Sequence, residues 1–405
     1  MPCIGRTRRL TRWLATVLAP AVLAALGCRE DAQSPTAPDP APALATSSTA
    51  IPFRQVSAGA YHSCGVTSDN QAYCWGYNTY GQLGDGTTSD RLAPVAVATG
   101  LRFLQLTAGD YHTCGVTTGN RAYCWGYNID GQLGDGTTTD HSTPVAVRGG
   151  LRFDQVSGGG LHTCGATTDD LAYCWGANLV SQLGDSTTTR RLKPVAVYGD
   201  RRFRQVSAGY AHTCALTRAD VAWCWGYNAY GQLGDASITL RSTPRAVRGG
   251  LRFRQVGASF VHSCGVTTND KPYCWGRNDL GQLGDGTNSD RLTPVPVAGG
   301  LQLIGVSPGG THTCGVTTAG AAYCWGWNFY GEVGDGTTTL RRIPVAVAGG
   351  LLFRFSAGSS SLSGVHSCGV TTGNAAYCWG YNVYGQLGDG TTTDRLTPVE
   401  VAGAM

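Results

Sequence analysis

From residue 51 onward the chain is written in short runs rich in β-branched, aromatic and cysteine residues, separated by Gly, Asn and Asp. In the first fifty of these residues the runs fall at 53–57, 62–67, 71–76 and 94–97. Such runs between turn residues predict short strands, and no stretch of this region has helical period. The arrangement then recurs. Residues 51–100, 101–150, 151–200, 201–250, 251–300 and 301–350 align without a gap at a period of 50, and the seventh unit, from 351 to the C-terminus, carries four extra residues before its histidine. The shared pattern is F-R-Q-V-S-A-G-x-x-H-[ST]-C-G-V-T-T-x-x-x-A-Y-C-W-G-x-N-x-x-G-Q-L-G-D-G-T-T-x-x-R-x-x-P-V-A-V-x-G-G. A period this long means a solenoid, propeller or array rather than separate domains. Seven units of four short strands predict an all-β fold, a seven-bladed β-propeller with about 50 residues per blade.

Proline recurs at the fourth run, as Pro94, Pro144, Pro194, Pro244, Pro294, Pro344 and Pro398. Proline cannot donate to a strand ladder, so these strands are expected at the outer edge and the F-R-Q-V strand innermost. Two registers fit. Either each repeat is one blade, or the P-V-A-V strand pairs with a neighbouring blade and 398–401 closes the ring against the first.

The residues before the repeats are different in kind. Arg6, Arg8, Arg9 and Arg12 precede an apolar run from Trp13 to Leu26, broken only by Thr16 and Pro20. This is the charged-then-apolar order of an export signal, and it is too short to span a bilayer comfortably. It ends in Ala25-Leu26-Gly27-Cys28, which resembles the lipobox of bacterial lipoproteins. That resemblance implies cleavage before Cys28 and a lipid on its side chain; the position of Ala25 is usually Leu in such signals. The alternative is ordinary signal cleavage near this point. Residues 29–50 are rich in Pro, Ala, Ser and Thr with no apolar face, and read as an extended tether. The expected organisation is therefore a signal at 1–28, a tether at 29–50 and the propeller at 51–405.

Composition removes several classes. Glycine accounts for 59 of 405 residues, charged residues for 14%, and lysine occurs only at 193 and 271, which excludes coiled coils and long amphipathic helices. Taking the four signal arginines from 30 basic residues leaves 26 against 26 acidic ones. A neutral mature chain offers no general attraction to nucleic acid or to anionic membranes, so no nucleic-acid partner is expected.

The A-G-x-x-H-[ST] and W-G-x-N-x-x-G-Q-L-G segments, at their spacing within about 50 residues, resemble the repeats of the regulator of chromosome condensation family. The resemblance runs through all seven units. It implies a seven-bladed propeller. It implies no single activity, because the family includes guanine-nucleotide exchange on a small GTPase and chromatin binding in eukaryotes, and protein inhibition of β-lactamase by a secreted bacterial member.

Two positions per repeat depart from that family pattern and hold cysteine. Of 16 Cys, Cys3 and Cys28 precede the repeats. The rest form seven pairs ten residues apart: Cys64 with Cys74, Cys114 with Cys124, Cys164 with Cys174, Cys214 with Cys224, Cys264 with Cys274, Cys314 with Cys324, and Cys368 with Cys378. In an exported chain such regularity implies disulfides. A hairpin centred on residue 69 sets Cys64 opposite Cys74, with Cα atoms about 4.5 Å apart. Each bridge would contribute roughly 3 kcal/mol. A zinc site from His62, Cys64 and Cys74 is the rival, but no fourth ligand recurs, so no metal or other cofactor is expected.

The recurrent His62, His112, His162, His212, His262, His312 and His366 serve every unit alike. They are expected to lock a loop through backbone hydrogen bonds rather than to act in catalysis. The tryptophans from Trp75 to Trp379 are expected between blades. Gly81-Gln82-Leu83-Gly84-Asp85 reads as turn chemistry, with glycines at positive φ and an Asx turn at Asp85.

Function is expected where the repeats differ while staying large or charged. One such cluster precedes the histidine: Tyr61, Asp110, Tyr111, Leu161, Tyr210, Phe260 and Thr311. The other follows W-G: Tyr77, Tyr80, Tyr127, Asp130, Tyr227, Tyr230, Arg277, Asp279, Trp327, Phe329, Tyr330, Tyr381 and Tyr384. In a four-strand meander both loops lie on one face, so the aromatic members and Arg277 are expected to form a ring suited to binding a partner. The inserted Ser359-Ser360-Ser361-Leu362 would lie there too. The reading is a non-enzymatic, monomeric propeller that binds a protein or a glycan outside the cytoplasm, anchored by lipid in the outer membrane or at the cell surface. Without the lipid it would be periplasmic or secreted. An exchange factor and a secreted enzyme inhibitor are the alternatives.

Overall fold

The computed structural model describes residues 51–358 and 366–403. Cys28, the tether and the inserted Ser359–Leu362 lie outside the described residues. The described chain forms 28 strands, numbered β1–β28 in chain order, in seven four-stranded antiparallel sheets. The first sheet is β1 (Phe53–Ala58), β2 (His62–Thr67), β3 (Ala72–Gly76) and β4 (Arg91–Ala96), paired in that order. Every later repeat builds the same sheet from its own four strands. Repeat and blade therefore coincide, and no strand is exchanged where the last blade meets the first.

The fourth strand is the outer edge, as its proline requires, but it begins three residues earlier than the proline implies. The pairing jumps from Cys74↔Val95 to Gly76↔Arg91, so Pro94 sits in a bulge where no ladder N–H is needed. The seven inner strands are β1, β5 (Phe103–Ala108), β9 (Phe153–Gly158), β13 (Phe203–Ala208), β17 (Phe253–Ala258), β21 (Leu303–Pro308) and β25 (Phe353–Gly358). Residues of all seven line a central channel of about 400 Å³.

A single four-stranded sheet has two apolar faces and cannot cover either alone. The core is accordingly divided into seven wedges, one between each pair of blades. Between the first and second blades, Cys64, Val66, Cys74, Leu83 and Val97 meet Phe103, Leu106 and Trp125. The closing wedge sets Cys368, Val370, Cys378 and Leu387 against Phe53, Val56 and Trp75.

Every cysteine pair expected from the spacing forms a disulfide, between facing residues of the second and third strands of its blade. In the first blade Cys64 bonds to Cys74, in the second Cys114 bonds to Cys124, and in the third Cys164 bonds to Cys174. The fourth and fifth blades join Cys214 to Cys224 and Cys264 to Cys274. The sixth and seventh join Cys314 to Cys324 and Cys368 to Cys378. The Cα atoms lie 4.0–4.1 Å apart, somewhat closer than the hairpin argument gave. The bridges are buried and pack on the next blade's tryptophan, so they fill core as well as cross-link. The turn glycines have the expected geometry. Gly84 has a φ of +71°, and a Cβ there would lie 2.6 Å from the Trp125 indole nitrogen.

Candidate binding face

The recurrent histidines join blades, which corrects the expectation that they lock a loop through backbone. His62 Nε2 lies 2.8 Å from the Thr113 hydroxyl of the next blade. The same bond links His112 to Thr163, His162 to Thr213, His212 to Ser263, His262 to Thr313, His312 to Ser367 and His366 back to Ser63. Each hydroxyl in turn donates to a carbonyl of the preceding blade's turn, as Thr113 does to Gln82 at 2.8 Å. The Trp125 indole donates to that same carbonyl at 2.9 Å. A hydroxyl has one proton. Having given it to the carbonyl, it accepts from imidazole, so Nε2 carries the hydrogen. Burial pushes these imidazoles down to about 3 or 4. They are structural hinges of a closed ring, not bases open to a substrate.

The loop after W-G is held by a second buried set. Asn78 donates from Nδ2 to Asp85 and to the Thr87 and Ser89 carbonyls, and its Oδ1 accepts from Leu83 N at 2.9 Å. Asp85 accepts from Thr87 N at 3.0 Å, the expected Asx turn, and pairs with Arg91 at 2.7 Å. Burial pushes the Asp85 carboxyl up, but the Thr87 and Arg91 hydrogen bonds outweigh it and hold it below the ordinary carboxylate value. His141 replaces the arginine in the second blade and lies 3.2 Å from Asp135. The recurring arginine was visible in the sequence; its carboxylate partner, six residues back across a folded loop, was not.

On this scaffold both variable loops reach one face. Tyr61 and Tyr77, from the two loops of the first blade, have ring centroids 6.0 Å apart. The predicted aromatic residues do not form a ring. Ten of them form an arc over the sixth, seventh, first and second blades, in two contact groups that adjoin at Tyr381 and Tyr384. Trp327 stacks on Phe329, which meets Tyr330, which meets Tyr381. Tyr384 contacts Tyr77 at 4.9 Å and Tyr61 at 5.4 Å. Tyr61 and Tyr77 lead to Tyr111 and Tyr80, and these to Tyr127, with Tyr80 and Tyr127 4.6 Å apart. The other five residues sit apart, over the fourth and fifth blades. Tyr210 contacts Phe260 at 4.7 Å, Tyr227 contacts Tyr230, and Arg277 lies over the Tyr230 ring at 5.0 Å while donating to Asp279. The third blade breaks the circle because its corresponding loop holds Ala177, Leu179 and Val180, with Leu179 86% exposed.

Most arc rings are half-buried against one another, and Phe329 is 60% exposed. Burial, then the neighbouring Tyr61 and Asp110, pushes the Tyr111 phenol well above its usual range. Among the described residues no group of three or more His, Cys, Asp or Glu could hold a metal ion.

Sequence reasoning passed over the channel wall. Gln55 donates from Nε2 to the Leu106 carbonyl at 2.9 Å and accepts from Leu106 N. Gln105, Gln155, Gln205 and Gln255 do the same to the next inner strand. Ser57, Thr107, Ser157 and Ser207 each accept one more backbone N–H from that strand. The recurring Q and S of F-R-Q-V-S were the available signal: polar residues repeated on the innermost strand must satisfy something there.

The architecture defines a seven-bladed propeller whose blades are individually cross-linked and collectively closed by side chains. Residues 98–405 match the RCC1-like domain, and residues 53–82 and 69–116 match the regulator of chromosome condensation (RCC1) repeat; the chain belongs to the RCC1-like domain family. A 49-residue stretch is 45% identical to the ultraviolet-B receptor UVR8 of Arabidopsis thaliana, covering 12% of this chain and 11% of that receptor. The fold resembles Prp20p of Saccharomyces cerevisiae with a TM-score of 0.73, 20% identity, and 83% and 87% of the two chains covered. It also resembles human WBSCR16 with a TM-score of 0.70, 20% identity, and 76% and 84% covered.

Proposed function

We propose that this propeller is an exported binding scaffold, held at the bacterial envelope by a lipid on Cys28, that takes a macromolecular partner on its aromatic arc. The observation that carries this reading is the succession of ten aromatic side chains over four adjacent blades, in two contact groups that adjoin at Tyr381 and Tyr384, on the face where the loops vary. Half-buried aromatic clusters of this kind anchor protein interfaces, because each ring buries a large area at small conformational cost. Seven disulfides suit an oxidising compartment and argue against a role beside cytosolic GTPases. A solved neighbour of the same fold, yeast RCC1 (Prp20), has been seen bound to Kap60, so the architecture is suited to protein partners. Binding rather than catalysis is favoured because the recurrent histidines are fully buried and engaged.

The test pairs two measurements on protein isolated from membranes. Intact mass should show an acylated Cys28 and thiols released only by reduction. Cross-linking on envelopes should then capture one partner with the native chain and lose it with Tyr77→Ser/Tyr384→Ser, while Tyr227→Ser retains it. An unmodified N-terminus removes the anchor from this reading; capture indifferent to the arc variants removes the arc.

A further inference from the structure

The arc carries charge as well as aromatic rings. In the loop that closes each W-G segment, one position is acidic in the seventh, first and second blades: Asp394, Asp90 and Asp140. In the third, fourth and sixth blades the same position holds Arg190, Leu240 and Leu340, and in the fifth it is Asp290, beside the Arg277–Asp279 pair rather than beside tyrosines. Carboxylate and tyrosines therefore occur together in the seventh, first and second blades. Each is fixed by accepting a backbone N–H at 2.8 Å, from Asn382, Asn78 and Asn128. One oxygen of each is engaged in this way, and Asp90 and Asp140 are exposed. Asp130 adds a fourth carboxylate beside Tyr127; it and Asp140 both push that phenol up, after burial. Asp394 acts likewise on Tyr381, after burial and the neighbouring Tyr384 and Tyr330.

Among the described residues no ion pair covers Asp90, Asp140 or Asp394; of these carboxylates only Asp130 has a basic partner. Arg91 and Arg395 are paired to the buried Asp85 and Asp389, and His141 lies against Asp135. Arg190, 3.9 Å from Asp130, marks the end of the arc at the third blade. The smaller cluster over the fourth and fifth blades differs, because there Arg277 already covers Tyr230 and pairs with Asp279. The protein has supplied its own cation at one aromatic cluster and left the other uncovered.

We infer that the tyrosine arc over the seventh, first and second blades binds a polypeptide segment bearing arginine or lysine. Guanidinium and ammonium groups are drawn to aromatic faces and to carboxylates together. Tyrosines with a carboxylate rim offer both within one side chain's reach. An acidic partner would meet like charge at Asp90, Asp140 and Asp394. A neutral glycan would stack on the rings and be indifferent to those carboxylates.

This inference rests on the arc being the binding face, and the experiment separates the two. The mature chain is titrated with a twelve-residue Arg-Gly peptide, a Glu-Gly peptide of equal length, and chitohexaose. The Arg-Gly peptide should bind in the micromolar range, and its affinity should fall at least about tenfold in Tyr80→Ser/Tyr384→Ser. A similar fall should follow Asp90→Asn/Asp140→Asn/Asp394→Asn, in which asparagine still accepts the backbone N–H. Raised salt should weaken binding to the native chain more than to this triple variant. Tyr227→Ser should bind like the native chain, and unchanged melting temperatures establish that the variants are folded. Binding of chitohexaose or the Glu-Gly peptide, lost in the tyrosine variant, would overturn the cationic partner and leave the binding face standing. Arg-Gly binding untouched by the aspartate variant would also overturn it. Failure of all three probes, or binding indifferent to the tyrosines, would overturn the face along with it.

Discussion

At the residue scale, the departures from the repeat are as informative as the repeat. Six blades place a buried glutamine where the sixth has Glu332. Its Oε2 accepts from Tyr330 N at 2.9 Å, as the glutamine oxygens do at the equivalent sites, but a carboxylate must also be desolvated. Burial first, and then nearby Asp394, push its carboxyl up to about 8. The folded state therefore holds a proton that the unfolded chain releases above its ordinary value of 4.5. The sign follows: this residue costs nothing at low pH, and its penalty grows as pH rises from about 4.5 towards about 8. Glu332→Gln should stabilise the protein by roughly 4 kcal/mol at pH 8 and by almost nothing at pH 4. Urea denaturation at both values checks this; a gain independent of pH would show that the carboxyl is not the cause.

At the element scale, the inner strands face a problem common to any channel lined by strand edges: backbone groups with no neighbouring strand to bond. The glutamine and hydroxyl stitching solves it blade by blade, and one link shows how closely it is matched. In the fifth blade the hydroxyl is missing, at Gly257; in the sixth blade the residue that would donate to it is Pro308, which has no N–H. A Cβ on Gly257 would lie 2.6 Å from the Pro308 ring. Gly257→Ser alone should therefore cost about 1–3 kcal/mol through overpacking, and Pro308→Ala alone should leave an N–H without its acceptor. The double variant rebuilds the link seen in four other blades and should recover at least about 1 kcal/mol relative to the sum of the singles. Thermal unfolding of the four proteins measures this, and simple additivity would mean the two positions are independent.

At the scale of the whole molecule, closure is made by side chains. The last blade meets the first through His366 and Ser63, and through Trp75 and the Gln386 carbonyl, the same contacts that join every other pair. Seven neutral imidazoles in this ring make acid the condition to which the fold is most exposed. The unfolded chain protonates histidine below about 6.5, whereas the folded ring stays neutral to about 3 or 4. Stability is present above pH 6.5 and lost as the pH falls through that window. At pH 5.5 unfolding should take up about six protons at the ring, less about one released by Glu332. The slope of unfolding free energy against pH around 5.5 reads this number directly. A flat profile there would show that the imidazoles are not held neutral by burial.

What could be read from the chain alone was whatever repeats. The period, the four strand runs, the edge prolines, the facing cysteines and the interblade tryptophans are local or evenly spaced, so one unit explains seven. The aromatic loop positions were also legible, because they stand out against a constant background. What only the tertiary structure decided depends on which residues meet across blades. The histidine's partner is about fifty residues away on the next sheet, and the channel glutamines bond to backbone that belongs to another repeat. The aromatic ring expected from sequence became an arc because neighbouring blades must all contribute a ring for contacts to continue, and the third blade's Ala177 and Val180 do not. The sequence by itself determined each blade and the number of blades, since those follow from hydrophobic pattern and period. The joints between blades, and the single charged aromatic arc, were decided by closure, which brings distant loops side by side.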